Sequence, residues 1–292
     1  MEFSVSALSY IGPKTKRMRR LSPEMGVEIF WDWGNEDFWK GVVPELMQGR
    51  TGKFSIHGPM MYVAFTDDAP TEKVFEALKK PFDLYHRCDS AFYVLHTHGG
   101  IAPGSTEEAL LAKRQIAEER ILRFQEICEA EGIQLVVENI GRNAEGKTVF
   151  DETAFIELFR RNPQLKCLLD VGHAVLGGYD IGKVQQTLGH QLTAYHLHDN
   201  GGKADDHLRI RQGVIDWDAW KKNCFLYTPD AEIVLEYNGL TNEAVYHEDM
   251  EWIRQEQHDK TQHRSRKVPV LFCVSEGSFC MKCEGCVIQC YQ

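Results

Sequence analysis

Several short apolar runs in this chain end on a histidine, an aspartate or a glutamate, and this pattern constrains the fold more than any other feature. Phe54-Ser55-Ile56 ends on His57, Phe92-Tyr93-Val94-Leu95 on His96, and Leu135-Val136-Val137 on Glu138. Cys167-Leu168-Leu169 ends on Asp170, with His173 three residues on, and Ile233-Val234-Leu235 ends on Glu236. Tyr195-His196-Leu197 leads to His198, and Asp205 and His207 follow in the next loop. A continuous apolar run of this length reads as a strand buried on both faces, as in a parallel sheet. A carboxylate closing such a strand is costly to bury unless it is paired or bound to a metal. Glu138, Asp170 and Glu236 in one cavity would repel one another without a cation.

The pattern predicts strands over 2–6, 26–31, 53–57, 91–96, 133–139, 165–170, 192–198 and 230–236. It predicts helices over about 35–48, 71–88, 106–131, 151–162, 180–188, 216–226 and 241–257. The clearest helix follows a Ser105/Glu108 capping-box pair, carries a stripe from Leu110 to Ile127, and stops at Gly132. Eight strands alternating with helices predict an α/β fold, a (β/α)8 TIM barrel over 1–257, in which the C-terminal strand ends share one mouth. A doubly wound open sheet is the alternative, but no Gly-rich phosphate loop follows the first strand. His196 and His198 have the same parity along their strand. His198, nearer the mouth, is read as the ligand and His196 as its support. His96 is preferred to His98, because Gly99-Gly100 signal that the chain has already turned.

With 43% hydrophobic and 26% charged residues the composition is that of a water-soluble globular chain, and no apolar run reaches a bilayer-spanning length. The first residues lack the basic start and long apolar stretch of a signal peptide, so a cytoplasmic location is expected. The net charge of -10 argues against a general polyanion binder. One basic run, Lys14, Lys16, Arg17, Arg19 and Arg20, is read either as a solvated turn or as a phosphate-attracting rim.

Cysteines fall into two groups. Cys88, Cys128, Cys167 and Cys224 are scattered and read as buried small hydrophobes in a reducing compartment. Cys273, Cys280, Cys283, Cys286 and Cys290 crowd a tail, 258–292, that opens with a polar linker. The Cys280-x2-Cys283-x2-Cys286-x3-Cys290 spacing fits an iron–sulfur run, with Tyr291 where Pro is usual, and fits a zinc site or free thiols equally.

The chain resembles the xylose isomerase-like barrels, a superfamily of sugar isomerases and epimerases that also includes endonuclease IV. The carriers are His57-Gly58-Pro59, Glu138-Asn139, Asp170-Val171-Gly172-His173, His198-Asp199-Asn200, Asp205-Asp206-His207, Gly213-Val214-Ile215-Asp216-Trp217 and Glu236. The resemblance implies a divalent ion (manganese, zinc or cobalt) held by Glu138, Asp170, His198 and Glu236. Glu138 and Glu236 would carry protons beside a substrate carbonyl. It implies a small sugar or sugar phosphate as substrate. His57, His96, His173 and Arg142 would touch it, and Trp31, Trp33 and Tyr62 would form apolar platforms. The endonuclease branch implies three zinc ions on nine ligands, adding His57, His96, His173, Asp205 and His207, with abasic DNA as substrate. The loop after Asn139 and the Val-Gly-His of 171–173 depart from that branch, and Leu208-Arg209-Ile210-Arg211-Gln212-Gly213 sits closer to the isomerases. A metal-dependent lyase is the remaining class, since a fold fixes no reaction. Barrels of this kind often pair, so a homodimer is an expectation.

Overall fold

The computed structural model describes residues 1–61, 63, 65, 66, 69–97, 101, 102, 104–142, 147–239 and 242–255, together with the backbone of 256–265, 273–275 and 278–280. Eight strands form a closed parallel barrel in the order β1 (Phe3–Ser6), β2 (Gly26–Phe30), β3 (Phe54–His57), β4 (Tyr93–His96), β5 (Leu135–Glu138), β6 (Cys167–Asp170), β7 (Leu192–Leu197) and β8 (Glu232–Leu235). Each lies within the range expected from the apolar runs. Helices α1 (Glu36–Met47), α2 (Thr71–Leu78), α3 (Phe82–Arg87), α4 (Glu107–Ala130), α5 (Glu152–Arg161), α6 (Val171–Gly177), α7 (Ile181–Leu188), α8 (Trp217–Tyr227) and α9 (Glu243–Ser265) connect them. By its contacts the chain divides into Met1–Met250 and Glu251–Gln292. The second unit holds the end of α9 and an antiparallel pair, β9 (Cys273–Ser275) and β10 (Ser278–Cys280). The side chain of Cys280, and Cys283, Cys286 and Cys290 entirely, lie outside the described residues. No helix among the described residues is long and apolar enough to cross a membrane.

Short polar side chains start most helices. Asn35, Thr106, Asp151, Asp170, Asp180 and Asp216 each accept the backbone N–H three residues on, supplying a partner the first turn lacks. Two local expectations are corrected. The helix expected over 71–88 is two, α2 and α3, because Pro81 has no N–H to continue the first and opens the second. Thr106, not Ser105, caps α4, while the Ser105 hydroxyl donates to the Ala102 carbonyl. The basic run forms a 3-10 helix, Gly12–Arg20, with Thr15 and Met18 buried. Arg17 pairs with Glu243, and Lys16 and Arg19 share Glu45, so three of its five cations are already neutralised.

The barrel interior has two characters. Phe92, Val94, Val136, Leu168, Ala194 and Val234 pack together as an apolar plug. Val94, Val136, Leu168, Ala194 and Val234 each precede a site residue by two along the same strand: His96, Glu138, Asp170, His196 and Glu236. The alternation of a strand therefore sets plug and site on one face, the plug beneath. From β8 round to β3 the interior is polar. Ser4 donates to Glu232 at 2.8 Å, Ser6 to Glu236 at 2.9 Å, and Ser55 to Glu28 at 3.3 Å. The scattered cysteines are all buried, and burial pushes the Cys88 and Cys128 thiols up to about 12 and Cys224 up to about 11. They are inert packing groups at neutral pH.

Glu232 gives a stability prediction. Burial, with Glu2 and Glu28 nearby, raises its carboxyl from 4.5 to about 7 against the opposing Ser4 hydroxyl and Lys53. The folded chain holds this proton more tightly than the unfolded one. Stability from this group therefore falls as pH climbs from about 4.5 to about 7 and stays low above. Glu232→Gln should stabilise the chain at pH 8 relative to pH 5 by up to roughly 3 kcal/mol. Urea unfolding at the two pH values checks this, and parallel behaviour of the native chain and the variant would refute it.

Candidate metal centre and cavity

The strand ends meet. His196 Nδ1 lies 3.1 Å from Glu138 Oε1, 3.4 Å from Glu236 Oε2 and 3.8 Å from Asp170 Oδ2. These four groups are buried and form an inner set. An outer set adjoins it: His198 Nε2 stands 3.0 Å from Asp170 Oδ2, and Asp205 Oδ2 stands 3.2 Å from both His173 Nε2 and His207 Nε2. On the other side His57 Nε2 faces Glu138 Oε2 at 3.4 Å, and His96 joins Glu138 and His173 in a third cluster with ligand spacing. Among the described residues, all nine side chains singled out in the sequence thus come to one mouth, and His196 comes with them.

Three of the histidines are held alike. His57 Nδ1 lies 2.9 Å from the Gly58 carbonyl, His173 Nδ1 3.2 Å from the Asn139 carbonyl, and His207 Nδ1 2.9 Å from the Glu236 carbonyl. A carbonyl only accepts, so each Nδ1 carries the hydrogen and each Nε2 is turned toward the carboxylates. This is how metal-binding imidazoles are oriented. Asp170 serves twice. One oxygen caps α6 by accepting from His173 N at 2.6 Å, while the other faces His198. The cap places His173 in the first turn of a helix that the sequence reading did not contain, which is why a three-residue spacing brings both side chains to the site. Asn139 clips β5 to β6 by exchanging hydrogen bonds with the Asp170 backbone at 2.7 and 2.9 Å.

Charge balance is tight. Burial pushes Glu138 up, but His196 and His57 beside it outweigh this and hold the carboxyl well below its ordinary range. Asp170 is likewise lowered against burial, by His173 and His198. Burial opposes charge on His173 and His196, yet the surrounding carboxylates raise both well above the usual imidazole value. His207 is raised to about 9 by Asp205 and Glu236 against the effect of burial. Protonated imidazoles and a divalent cation are two ways to neutralise the same carboxylates. The donor set suits a divalent ion of intermediate softness, being imidazole nitrogen and carboxylate oxygen. Among the described residues, buried atoms at the centre without a hydrogen-bond partner include Glu138 Oε2, His198 Nδ1 and Glu28 Oε1.

The centre opens into a cavity of about 870 Å³. Leu8, Phe30 and Met60 give it apolar wall, and Arg142, Lys147 and Lys203 give it positive charge. Arg142 is therefore on the wall. Trp31 is not. The chain leaves β2 in a 3-10 turn, Trp31–Trp33, which buries Trp31 with its carbonyl accepting from Trp39 Nε1, and Phe30 lines the cavity instead. Trp33 packs against Phe30, their ring centroids 5.0 Å apart and their planes tilted by 38°. Tyr62 and His98 lie outside the described residues.

Two residues hold roles that the sequence did not assign, although Asp199 lies in the His198-Asp199-Asn200 motif. Glu28 sits fully buried in mid-strand, 3.0 Å from His196 Nε2. Its signal was a lone carboxylate inside Val27-Glu28-Ile29-Phe30. Asp199, also fully buried, accepts from Asn200 N, Gly213 N, Ile215 N and Trp217 Nε1, and so fixes the loop that carries Asp205 and His207. Both histidines of β7 and its end reach the carboxylates: His196 Nδ1 stands among all three inner ones, while His198 groups with Asp170 and Glu236 at ligand spacing and bridges Asp170 to the outer set. Gly172 makes room for that bridge. A Cβ there would come 2.0 Å from His198 Cε1. Gly172→Ala should displace the ring and lower affinity for zinc by roughly 10- to 100-fold, measured by chelator competition; unchanged affinity would show that His198 is not a ligand.

The profile of the xylose isomerase-like TIM barrel family matches residues 26–256. An uncharacterised protein of Methanocaldococcus jannaschii, MJ1614, is 24% identical over 187 residues, 61% of this chain and 68% of that one. The crystal structure of a D-tagatose 3-epimerase-like protein superposes with a TM-score of 0.75 at 20% identity, covering 89% of this chain and all of that one (100%). An AP endonuclease, family 2, from Brucella melitensis superposes with a TM-score of 0.65 at 17% identity, covering 83% of this chain and 95% of that one. At these identities the superpositions establish a shared fold.

Proposed function

This chain belongs to the xylose isomerase-like TIM barrel family, and on that premise we propose that it is a divalent-metal-dependent isomerase or epimerase of a small sugar or sugar phosphate. The observation that carries the proposal is the pair Glu138 and Glu236, whose carboxylates flank one imidazole nitrogen at 3.1 and 3.4 Å above an apolar plug. Glu138, Asp170, His196 and Glu236 would hold the ion, with His198 and His173 also in reach of Asp170 at 3.0 and 3.6 Å. When bound, a divalent ion polarises the oxygens of a hydroxycarbonyl substrate and acidifies the adjacent C–H. One glutamate then accepts the proton from carbon and the other returns it, each acting as a positioned general acid or base. His173 and Arg142 supply hydrogen bonds to substrate oxygens, and Phe30 and Met60 cover the apolar face of a sugar. The likeness in fold to a protein named as D-tagatose 3-epimerase-like supports this reading. A cytoplasmic setting suits the buried thiols. The test is metal content per chain followed by solvent-deuterium exchange into a panel of ketoses and their phosphates. Exchange with manganese, cobalt or zinc loaded is expected; a metal-loaded chain that exchanges none of them overturns the proposal.

One observation favours a second reading, a zinc phosphodiesterase acting on abasic DNA. The inner set has donor clusters on both sides of it, His57 and His96 with Glu138, and His173, His198, Asp205 and His207. That layout has room for three ions. Three zinc ions per chain with cleavage of an abasic-site oligonucleotide would establish it. The net charge of -10 and the paired basic run weigh against a long polyanion.

A further inference from the structure

His196 differs from the other oriented histidines. His57, His173 and His207 are each held by a backbone carbonyl at Nδ1 and present Nε2. His196 presents Nδ1 to Glu138, Glu236 and Asp170 and turns Nε2 the opposite way. Its Nε2 points into the barrel interior, where parallel strands spend their carbonyls on one another and none is left to receive it. A side chain must do so. Glu28 reaches across from β2 to β7, placing Oε1 at 3.0 Å and Oε2 at 3.2 Å from Nε2, and the Ser55 hydroxyl holds Oε2 at 3.3 Å.

We propose that Glu28 is a positioning residue that locks His196 with hydrogen on Nε2 and a free Nδ1 lone pair aimed at the inner carboxylates. The inference rests on the metal reading above and goes beyond it by assigning Glu28 a place behind His196 rather than on the ion, although Glu28, His196 and Glu236 also lie at ligand spacing. A carboxylate accepts only, so it selects the Nε2–H form of the neutral ring. Carboxylate partners of this kind also strengthen an imidazole as a ligand, and losing one typically costs about 10- to 100-fold in metal affinity. The bland alternative is a buried ion pair that merely stabilises the barrel. It predicts a changed melting temperature with unchanged metal affinity.

The test measures zinc and manganese affinity by chelator competition, metal content per chain, and the melting temperature of the metal-free chain, for the native protein, Glu28→Leu and Glu28→Gln. Glu28→Leu should lose roughly 10- to 100-fold in affinity at unchanged saturating stoichiometry, and Glu28→Gln, which keeps an acceptor for Nε2–H, should recover most of the loss. Native affinity in Glu28→Leu overturns the inference and leaves the metal reading standing. One ion fewer per chain in Glu28→Gln makes Glu28 itself a ligand and also overturns it. A native chain that takes up no divalent ion overturns both. Should Glu28→Leu fail to fold, the ring nitrogens of His196 in the zinc-loaded native chain decide by NMR: Nε2–H is expected, and Nδ1–H overturns the assignment.

Discussion

Glu138→Gln is expected to lower sugar proton exchange by at least roughly a thousandfold, within the range a positioned acid or base contributes. The substitution keeps the volume and removes the charge. Glu138 is buried, lies 3.1 Å from His196 Nδ1, and belongs to two of the donor clusters, so the change weakens ion binding as well as proton transfer. Glu236→Gln should show the same loss, since Glu236 is the second carboxylate at that nitrogen and is itself held by the Ser6 hydroxyl. The two are separable. A variant that regains its ion at high metal concentration but not its turnover has lost the proton carrier. Turnover kept in both variants, with the barrel folded by circular dichroism, would end the two-carboxylate mechanism.

Asp199→Ala should produce the largest loss of stability among the site-supporting residues. It leaves three backbone N–H groups and the Trp217 indole N–H without their acceptor, at distances now between 2.7 and 3.3 Å. Three of these donors are buried, and each buried donor left unsatisfied costs about 1 to 3 kcal/mol, so a total on the order of 3 kcal/mol or more is expected from urea unfolding. The loop is also tied midway, where Arg209 forms a bidentate pair with the buried Asp249. That second anchor keeps the loop folded but no longer places Asp205 and His207. The outer set should therefore lose affinity for zinc while the inner set keeps its own. A stability loss below about 1 kcal/mol would show that water replaces the carboxylate without cost.

The barrel and its mouth were legible because two signals coincide on the same residues. Runs such as Leu135-Val136-Val137 are apolar throughout since both faces of the strand are covered, and each ends on a charge where the strand meets the cavity. Glu138, Asp170 and Glu236 could be picked out on that ground alone. Depth along a strand was not legible. Parity says that His196 and His198 face the same way, but not that His196 sits level with Glu138 while His198 already belongs to the outer set. Glu28 was lost for a related reason. Its partner is 168 residues away on the far side of the barrel, and no local pattern records a contact across a lumen. Trp31 was misplaced because aromatic type suggests a platform, whereas the turn after Phe30 decides which ring reaches the wall.

The plug of Phe92, Val94, Val136, Leu168, Ala194 and Val234 has a kinetic corollary. Hydrocarbon backs the inner set on the β4 to β8 side, so on the proposed reading an ion and a sugar would both arrive through the cavity of about 870 Å³. The cation would then enter first and leave last, held in by a seated sugar. Chelators should strip the ion slowly while substrate is present and quickly once it is washed out.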